Sequence, residues 1–167
     1  MKVMAPYQSP FGTLEIEASA EGISAIRWSL SSDTNQHDPC LTIGPAGSSE
    51  NPLLETAKTQ LDEYFQGARK DFELPLSLTG TPFQQLVWNA LKAIPYGTTE
   101  SYGAIANTIG RPRAVRAVGR AIGCNPVPLI IPCHRVIGAG GKLTGFSGGL
   151  DRKCWLLQRE NALPVHR

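Results

Sequence analysis

Apolar and polar residues alternate along three segments near the start of the chain, residues 1–7, 12–18 and 22–29. A period of two places successive side chains on opposite faces of a strand. Turn-forming residues separate the segments at residues 10–12 and at residues 21 and 22. The pattern therefore predicts three strands that are joined by hairpins in one antiparallel sheet.

A helical period follows, after a long polar stretch. Residues 30–51 are rich in Ser, Asp, Asn, Gly and Pro, and they predict a long surface loop. Pro52 then begins a predicted helix that ends near Gln66. Its apolar side is formed by Leu53, Leu54, Ala57, Leu61 and Phe65. We expect a short strand over residues 71–74, and residues 75–80 connect this part to the next.

The rest of the chain predicts a mostly helical domain. Periodicity and capping residues indicate four helices, over residues 82–94, 102–108, 113–123 and 151–161. Thr81 and Ser101 are the expected N-caps of the first two helices. The first helix is expected to bury a stripe of Phe83, Val87, Leu91 and Ile94. A Gly-rich segment, residues 138–149, precedes the last helix.

These elements predict an α+β protein of two domains. Residues 1–79 form a small N-terminal α/β domain with an antiparallel sheet and a helix. Residues 80–167 form a mostly helical C-terminal domain with a winged-helix-like helix-turn-helix. Hydrophobic residues make up 41% of the chain, which is enough for a core and excludes wholesale disorder. No apolar run could span a bilayer and the start lacks a secretory signal, so we expect a cytoplasmic protein that binds no membrane.

The two middle helices of the second domain have the order of a helix-turn-helix. At about 100° per residue, Val115, Val118 and Ile122 share one side of the second helix, which we expect to face the core. Three arginines fall roughly opposite: Arg113, Arg116 and Arg120. The residues between are Ala and Gly, so this helix could approach a sugar-phosphate backbone closely. An ordinary solvated Arg face is the alternative.

Charge is divided unevenly along the chain. Residues 1–79 contain five Lys/Arg and eleven Asp/Glu, a net charge of −6, whereas residues 80–167 contain eleven Lys/Arg and three Asp/Glu, a net charge of +8. A basic domain beside an acidic one indicates that the basic part faces a polyanion. The alternative is that the two halves simply attract each other.

Cys133 is the candidate nucleophile. Pro132 fixes the backbone before it, and His134 and Arg135 follow it directly. Cationic neighbours favour the thiolate, whereas an isolated Cys after an apolar run would be an inert core thiol. Adjacent side chains diverge, so we expect His134 to act as a base through a bridging water.

Two residues of the last helix are candidates for the same pocket. Lys153 and Glu160 are seven residues apart and share a face of that helix. Glu160 is the best candidate to orient the His134 imidazole. A pair of exposed helix charges is the alternative, and spacing alone favours it.

The segment Pro132-Cys133-His134-Arg135-Val136 resembles the active-site signature of the O6-alkylguanine-DNA alkyltransferases, also called methylated-DNA–protein-cysteine methyltransferases. The similarity covers most of residues 81–167. It includes further motifs in order: Tyr96-Gly97-Thr98-Thr99-Glu100-Ser101-Tyr102-Gly103, Ala114-Val115-Arg116-Ala117-Val118-Gly119, Asn125-Pro126 and Ser147-Gly148-Gly149-Leu150. This many ordered motifs are highly specific.

The resemblance implies DNA repair by direct, stoichiometric and irreversible transfer of an alkyl group from O6-alkylguanine to Cys133. O4-alkylthymine is a second candidate substrate, and the damaged nucleotide would be flipped out of the duplex. The implied catalytic set is Cys133, His134, Glu160, Asn125, Tyr102 and Lys153. In this set His134 acts through water, Glu160 polarises the imidazole and Asn125 holds the active-site turn. Tyr102 would lie near the extruded base, and Lys153 would line the pocket.

The resemblance also implies the residues that contact the substrate and the DNA. The guanine would be contacted by Val136, Ser147 and Phe146, the last standing where a Tyr is common in the family. The duplex would be contacted by Arg116, Tyr102, Gly103, Arg111, Arg113 and Arg120. Arg116 would take the place of the flipped nucleotide, and the recognition helix would enter the minor groove.

The implied partner is double-stranded DNA with alkylated guanine, bound by a monomer. Water does not hydrolyse the thioether product, so the acceptor cysteine is not expected to be regenerated. The reaction therefore needs no cofactor. Cys40 and the nearby His37 supply two potential metal ligands without a second pair, so no metal is expected.

Three other functions remain as alternatives. A non-enzymatic protein that binds alkylated DNA would keep the helix pair but lack the acceptor, and Cys133 counts against it. A transcription regulator would read base edges, for which the second helix lacks Asn and Gln. A thiol hydrolase would use Cys133 with turnover but would leave the basic domain unexplained.

Overall fold

The computed structural model describes residues 1–29, 51–146 and 148–162. They belong to two units, Met1–Thr79 and Gly80–Arg167. Of the loop predicted over residues 30–51, only Asn51 is among the described residues. His37, Cys40 and Ser147 also lie outside them.

The first unit contains the expected sheet. Its strands β1 (Val3–Ser9), β2 (Gly12–Ala18) and β3 (Ile23–Trp28) pair antiparallel in the order β1-β2-β3. Helix α1 (Pro52–Phe65) packs against β1 and β2, and the Asn51 side chain caps it by accepting from the Leu53 amide at 2.9 Å. Fully buried apolar side chains fill the space between them: Leu14, Ile16, Leu54, Ala57, Leu61 and Tyr64. Each large one contributes about 1.5–3 kcal/mol to folding.

The strand predicted over residues 71–74 is wrong. The chain instead makes a single parallel bridge two residues beyond the predicted strand, between Leu76 and Ile23. The buried Gln60 side chain explains the difference, because its amide donates to the Glu73 carbonyl at 3.0 Å and accepts from the Glu73 N–H at 2.9 Å. A side chain of α1 therefore satisfies backbone groups that a strand would have paired.

The second unit begins with α2 (Pro82–Lys92), whose N-terminus is a capping box formed by Thr81 and Gln84. Its buried stripe differs in part from the expected one. Val87, Leu91 and Ile94 are buried, but Phe83 is only half-buried. The buried Trp88 fills the core, and its indole N–H donates to the Ala121 carbonyl at 2.8 Å.

Helices α3 (Tyr102–Thr108) and α4 (Val115–Gly123) follow and pack on each other. Ser101 caps α3 as expected, accepting from the Ala104 amide at 3.0 Å. Helix α4 begins two residues later than predicted. Val115 therefore lies at its N-terminal end and is 39% exposed, so its assignment to the core is wrong. Val118 and Ile122 are buried as expected.

The second unit also contains short elements that the pattern did not predict. Strands β4 (Glu100–Ser101) and β5 (Val136–Ile137) pair in parallel. A 3-10 helix, Cys133–Arg135, precedes β5, and a second one spans Ala139–Gly141. The last helix is α5 (Leu150–Arg159). Within the described residues no helix has the length and apolar character needed to cross a membrane.

Candidate active site

Asn125 fixes the turn that leads to Cys133. This buried side chain donates to the Ile131 carbonyl at 2.8 Å and accepts from the Val127 N–H at 3.0 Å. Leu129, between these two contacts, is almost fully buried and has a φ of 75°, in the left-handed region that non-glycine residues rarely adopt. The amide thus holds a turn whose backbone is strained, and the turn delivers Cys133 to the start of its 3-10 helix.

The Cys133 side chain is buried as a free thiol. Burial raises its pKa, and this effect outweighs a hydrogen bond from Asn125 and the charge of Lys153, which both lower it. A neighbouring cation, Lys153, does favour the thiolate as expected, but burial outweighs it and the thiol form is favoured. A base must remove the proton when Cys133 reacts.

His134 is fully buried and is held at one nitrogen. Its Nε2 lies 2.8 Å from Glu160 Oε1, whereas its Nδ1 is buried with no hydrogen-bond partner in the described part of the chain. A carboxylate can only accept, so Nε2 carries the proton and Nδ1 presents a lone pair. Burial lowers the pKa of His134 more than Glu160 raises it. His134 is therefore neutral and able to accept a proton.

Glu160 is bound by two residues that are adjacent in the chain, His134 and Arg135. It is only 2% exposed, so the alternative of a solvated helix charge is excluded. Arg135 donates to it from Nε, at 2.8 Å from Oε2, and from Nη2, at 3.0 Å from Oε1. The interpretation of Arg135 as a cation that favours the thiolate is wrong, because its guanidinium group binds the Glu160 carboxylate instead.

Lys153 provides the cation near Cys133. It is fully buried, and burial lowers its pKa to about 8. Its Nζ donates to the Thr144 carbonyl at 2.7 Å and to the Gly145 carbonyl at 3.3 Å. The hydroxyl of Tyr102 donates to the same Thr144 carbonyl at 3.0 Å, and Lys153 Nζ lies 6.0 Å from the Tyr102 ring centre. The structure thus brings Tyr102 and Lys153 together on one carbonyl.

Sequence reasoning missed Thr144, Gly145 and the role of Arg135. The first two act through backbone carbonyls, which every residue carries, so their type gives no signal. Arg135 belongs to the motif at residues 132–136, but its partner Glu160 is 25 residues away in the chain. No spacing rule connects the two.

Three further residues were expected to contact the guanine (Val136 and Phe146) or the DNA (Gly103). Val136 is fully buried in β5, Phe146 is half-buried, and Gly103 is half-buried in α3. Gly119 of α4 lies against the ring of Tyr102, because a Cβ added there would be 3.9 Å from two ring carbons.

The four arginines expected to contact DNA are all exposed: Arg111, Arg113, Arg116 and Arg120. None of them makes a salt bridge within the described ranges. These arginines are therefore available to an anionic partner. Also within those ranges, no group of three His, Cys, Asp or Glu side chains could hold a metal ion.

Two family models match the chain. Residues 82–162 match "6-O-methylguanine DNA methyltransferase, DNA binding domain", and residues 3–78 match "6-O-methylguanine DNA methyltransferase, ribonuclease-like domain". The methylated-DNA–protein-cysteine methyltransferase of Methanosarcina acetivorans is 42% identical over 158 residues, which is 95% of this chain and 97% of the relative. The constitutive enzyme of that name from Bacillus subtilis is 46% identical over 154 residues, 92% of each chain.

Solved structures give the same result. The O6-methylguanine methyltransferase of Mycobacterium tuberculosis is 42% identical with a TM-score of 0.81, over 99% of this chain and 97% of that chain. The OGT protein of the same organism, solved in complex with DNA, is 44% identical with a TM-score of 0.77, over 96% of this chain and 92% of that chain.

Proposed function

The chain belongs to the family of methylated-DNA–protein-cysteine methyltransferases, and we propose that Cys133 is the residue that accepts the alkyl group. The protein repairs DNA by transferring an alkyl group directly from O6-alkylguanine to one of its own cysteines. The observation that carries the assignment is the buried Cys133 thiol beside a neutral His134, whose Nε2 is fixed by Glu160 and whose Nδ1 can accept a proton.

The proposed step is a displacement at the alkyl carbon. His134 takes the Cys133 proton at Nδ1, through a bridging water, as the sulfur forms its bond to carbon. The bond between carbon and guanine O6 breaks, and its electron pair stays with the base. The base gains one proton to become guanine, and His134 passes the thiol proton on through solvent. The protein then carries an S-alkyl cysteine, so atoms and charge balance without a cofactor.

Two buried groups assist this displacement in the proposal. The Lys153 ammonium favours the thiolate as it forms, because its charge lowers the pKa of Cys133. Tyr102 donates a hydrogen bond to the departing base, for which its hydroxyl must leave the Thr144 carbonyl. Val136, Phe146 and Ser147 contact the guanine, and Asn125 keeps the turn before Cys133 in place.

The basic unit is proposed to bind the DNA and to expose the damaged base. The O6 carbon lies within the base stack, so a buried thiol reaches it only if the nucleotide is flipped out. Arg116 replaces that nucleotide, while Arg111, Arg113, Arg120 and the start of α3, at Tyr102 and Gly103, contact the backbone. Arg116 and Arg120 are exposed on α4, Arg113 is exposed just before it, and their small neighbours support this role.

A thioether is not hydrolysed by water, so each molecule reacts once. The reaction is therefore stoichiometric and irreversible in the proposal, and O4-alkylthymine remains a second candidate substrate. The main alternative, a damage-binding protein without transfer, has no use for a buried thiol beside a base. Monomeric binding, a cytoplasmic location and the assignment of the reaction to residues 80–167 stay predictions.

Intact-protein mass after mixing with a duplex that contains one O6-methylguanine tests the proposal. We expect a gain of one methyl group that stops at one per chain and is lost in Cys133→Ser. Cys154→Ser is the matched control, since Cys154 is the other free thiol of the described residues, and it should gain the methyl group normally. Binding without a mass change would instead identify a damage sensor.

A further inference from the structure

We propose that Arg135 is a positioning residue for alkyl transfer, which holds Glu160 so that His134 keeps its Nδ1 available as a base. The inference deepens the proposed function and rests on Cys133 as the acceptor. It goes beyond the pairing of His134 with Glu160, because it assigns the orientation of that pair to a third side chain.

The geometry leaves Glu160 no freedom to turn. Oε2 accepts from Arg135 Nε at 2.8 Å, and Oε1 accepts both from Arg135 Nη2 at 3.0 Å and from His134 Nε2 at 2.8 Å. The planar guanidinium matches the carboxylate at two points, which fixes the plane of the carboxylate. The remaining contact of Oε1 then fixes the imidazole.

Arg135 is itself anchored from a third element. Its Nη1 donates to the Ile94 carbonyl at 2.7 Å, just beyond the end of α2, and its guanidinium lies 5.6 Å from the centre of the Tyr96 ring. All three nitrogens of the fork therefore have partners, and the side chain is 5% exposed. A lysine could replace the charge here but not the three-point contact.

The charge of Arg135 also decides where a proton resides. The charged groups that face His134 are Glu160, Arg135 and Lys153, and the Cys133 thiol precedes it. Glu160 raises the pKa of His134, whereas Arg135 and Lys153 lower it. Without Arg135 the His134–Glu160 pair would bind a proton at a higher pH.

That additional proton would disable the base wherever it settled. On His134 it would occupy Nδ1 directly. On Glu160 it would make the carboxyl group a donor to Nε2, and the imidazole would then carry its own proton on Nδ1. Either form lacks a lone pair at Nδ1, so Arg135 keeps the reactive tautomer populated.

The test compares Arg135→Gln and Arg135→Lys with the wild-type protein in single-turnover methyl transfer at saturating DNA. The rate constant is measured from about pH 5 to 9, where the acid limb reports the base. We expect Arg135→Gln to be slowed about tenfold or more, with its acid limb moved about one unit to higher pH. We expect Arg135→Lys to be slowed with its acid limb near the wild-type position, because the charge is kept and the fork is lost. The affinity for DNA should change little in both.

Arg159→Gln is the control, since Arg159 is an exposed arginine at the end of α5 and should leave rate and acid limb unchanged. The fraction of each variant that can be methylated, read from intact mass, separates slow protein from unfolded protein. If Arg135 only stabilises the fold, that fraction or the melting temperature falls while the acid limb stays at the wild-type pH. That result would overturn the proposal.

A measurement on the wild-type protein keeps the inference testable should both variants fail to fold. The chain has three histidines, His37, His134 and His166, so the His134 imidazole signals can be assigned by difference from His134→Gln. ¹⁵N NMR is expected to show neutral His134 protonated at Nε2 at about pH 7. A cationic His134, or a proton on Nδ1, refutes the inference. This result is readable even if Cys133 proves not to accept the methyl group, which would overturn only the proposed function.

Discussion

Cys133, His134 and Lys153 lie within one buried cluster, and each is at most 5% exposed. Removal from water disfavours the charged form of any such group, which raises the pKa of the thiol and lowers the pKa of the imidazole and the ammonium. At neutral pH the site therefore holds a thiol, a neutral base and a cation that is close to losing its charge. Proton transfer within the cluster has to accompany the chemistry, because burial favours the thiol form of Cys133.

The charge of Lys153 should be visible in the pH dependence of alkyl transfer. Its pKa is lowered to about 8, so the ammonium and its effect on Cys133 are lost as the pH rises through that value. We expect the wild-type rate constant to lose this contribution above pH 8. Lys153→Met should react about tenfold more slowly at neutral pH and lack that alkaline transition. Single-turnover kinetics measure both, with Lys142→Met, an exposed lysine, as the control. A wild-type-like profile for Lys153→Met would remove Lys153 from the mechanism.

At the scale of elements, α2 organises the second unit. Its capping box fixes where it begins, a contact of about 1 kcal/mol. Trp88, in its middle, joins α2 to α4 through the bond to the Ala121 carbonyl. The chain before α2 must pass close to this indole, and Gly80 is the residue that does so. Packing between α2 and α4 thus requires that residue 80, which lies outside both helices, has no side chain.

Two glycine-to-alanine substitutions should differ in their effect on stability. A Cβ at Gly80 would lie 2.5 Å from a carbon of the buried Trp88 ring, so Gly80→Ala is expected to cost about 1–3 kcal/mol. Gly123, the last residue of α4, is exposed and has open space around an added Cβ. Gly123→Ala should therefore leave stability unchanged or raise it by up to about 1 kcal/mol. Urea unfolding measures both, and equal effects would contradict the packing described for Trp88.

At the scale of the whole molecule, charge is separated by unit. The excess of positive charge lies in residues 80–167, which also contain the exposed arginines of α4, while residues 1–79 carry net negative charge. DNA binding by arginines releases counterions from the duplex, and the affinity therefore falls as salt rises. Because this attraction does not depend on sequence, it suits a protein that searches DNA for a chemical lesion.

The salt dependence of DNA affinity should identify which arginines contact phosphates. Arg113→Ala and Arg120→Ala are each expected to weaken binding to any sequence and to lower the slope of log K against log salt by about 0.9. Arg69→Ala is the control, because Arg69 belongs to the acidic unit and is paired with Glu63 at 2.6 Å. Titrations at about 50 to 200 mM salt measure the slopes. An unchanged slope in both arginine variants would place the phosphate contacts elsewhere.

Local sequence determined most of the elements, because the forces that form them act within a few residues. The alternation of apolar residues gave β1 to β3, and Thr81 and Ser101 gave the starts of α2 and α3. The motif around Cys133 gave the family, since its residues are adjacent in the chain. The local pattern failed where a side chain from another element binds the backbone. The Gln60 side chain binds the backbone N–H and carbonyl of Glu73, within the strand predicted over residues 71–74.

Only the tertiary structure decided the chemical state of the site. Whether Cys133 is a thiol and His134 neutral depends on burial, which no stretch of sequence specifies by itself. Glu160 binds Arg135, which is 25 residues away in the chain, and Lys153 reaches the Thr144 carbonyl only when α5 packs. The sequence thus specified which groups are available, while their distances and their separation from water arise from packing, because electrostatic interactions depend on position in space.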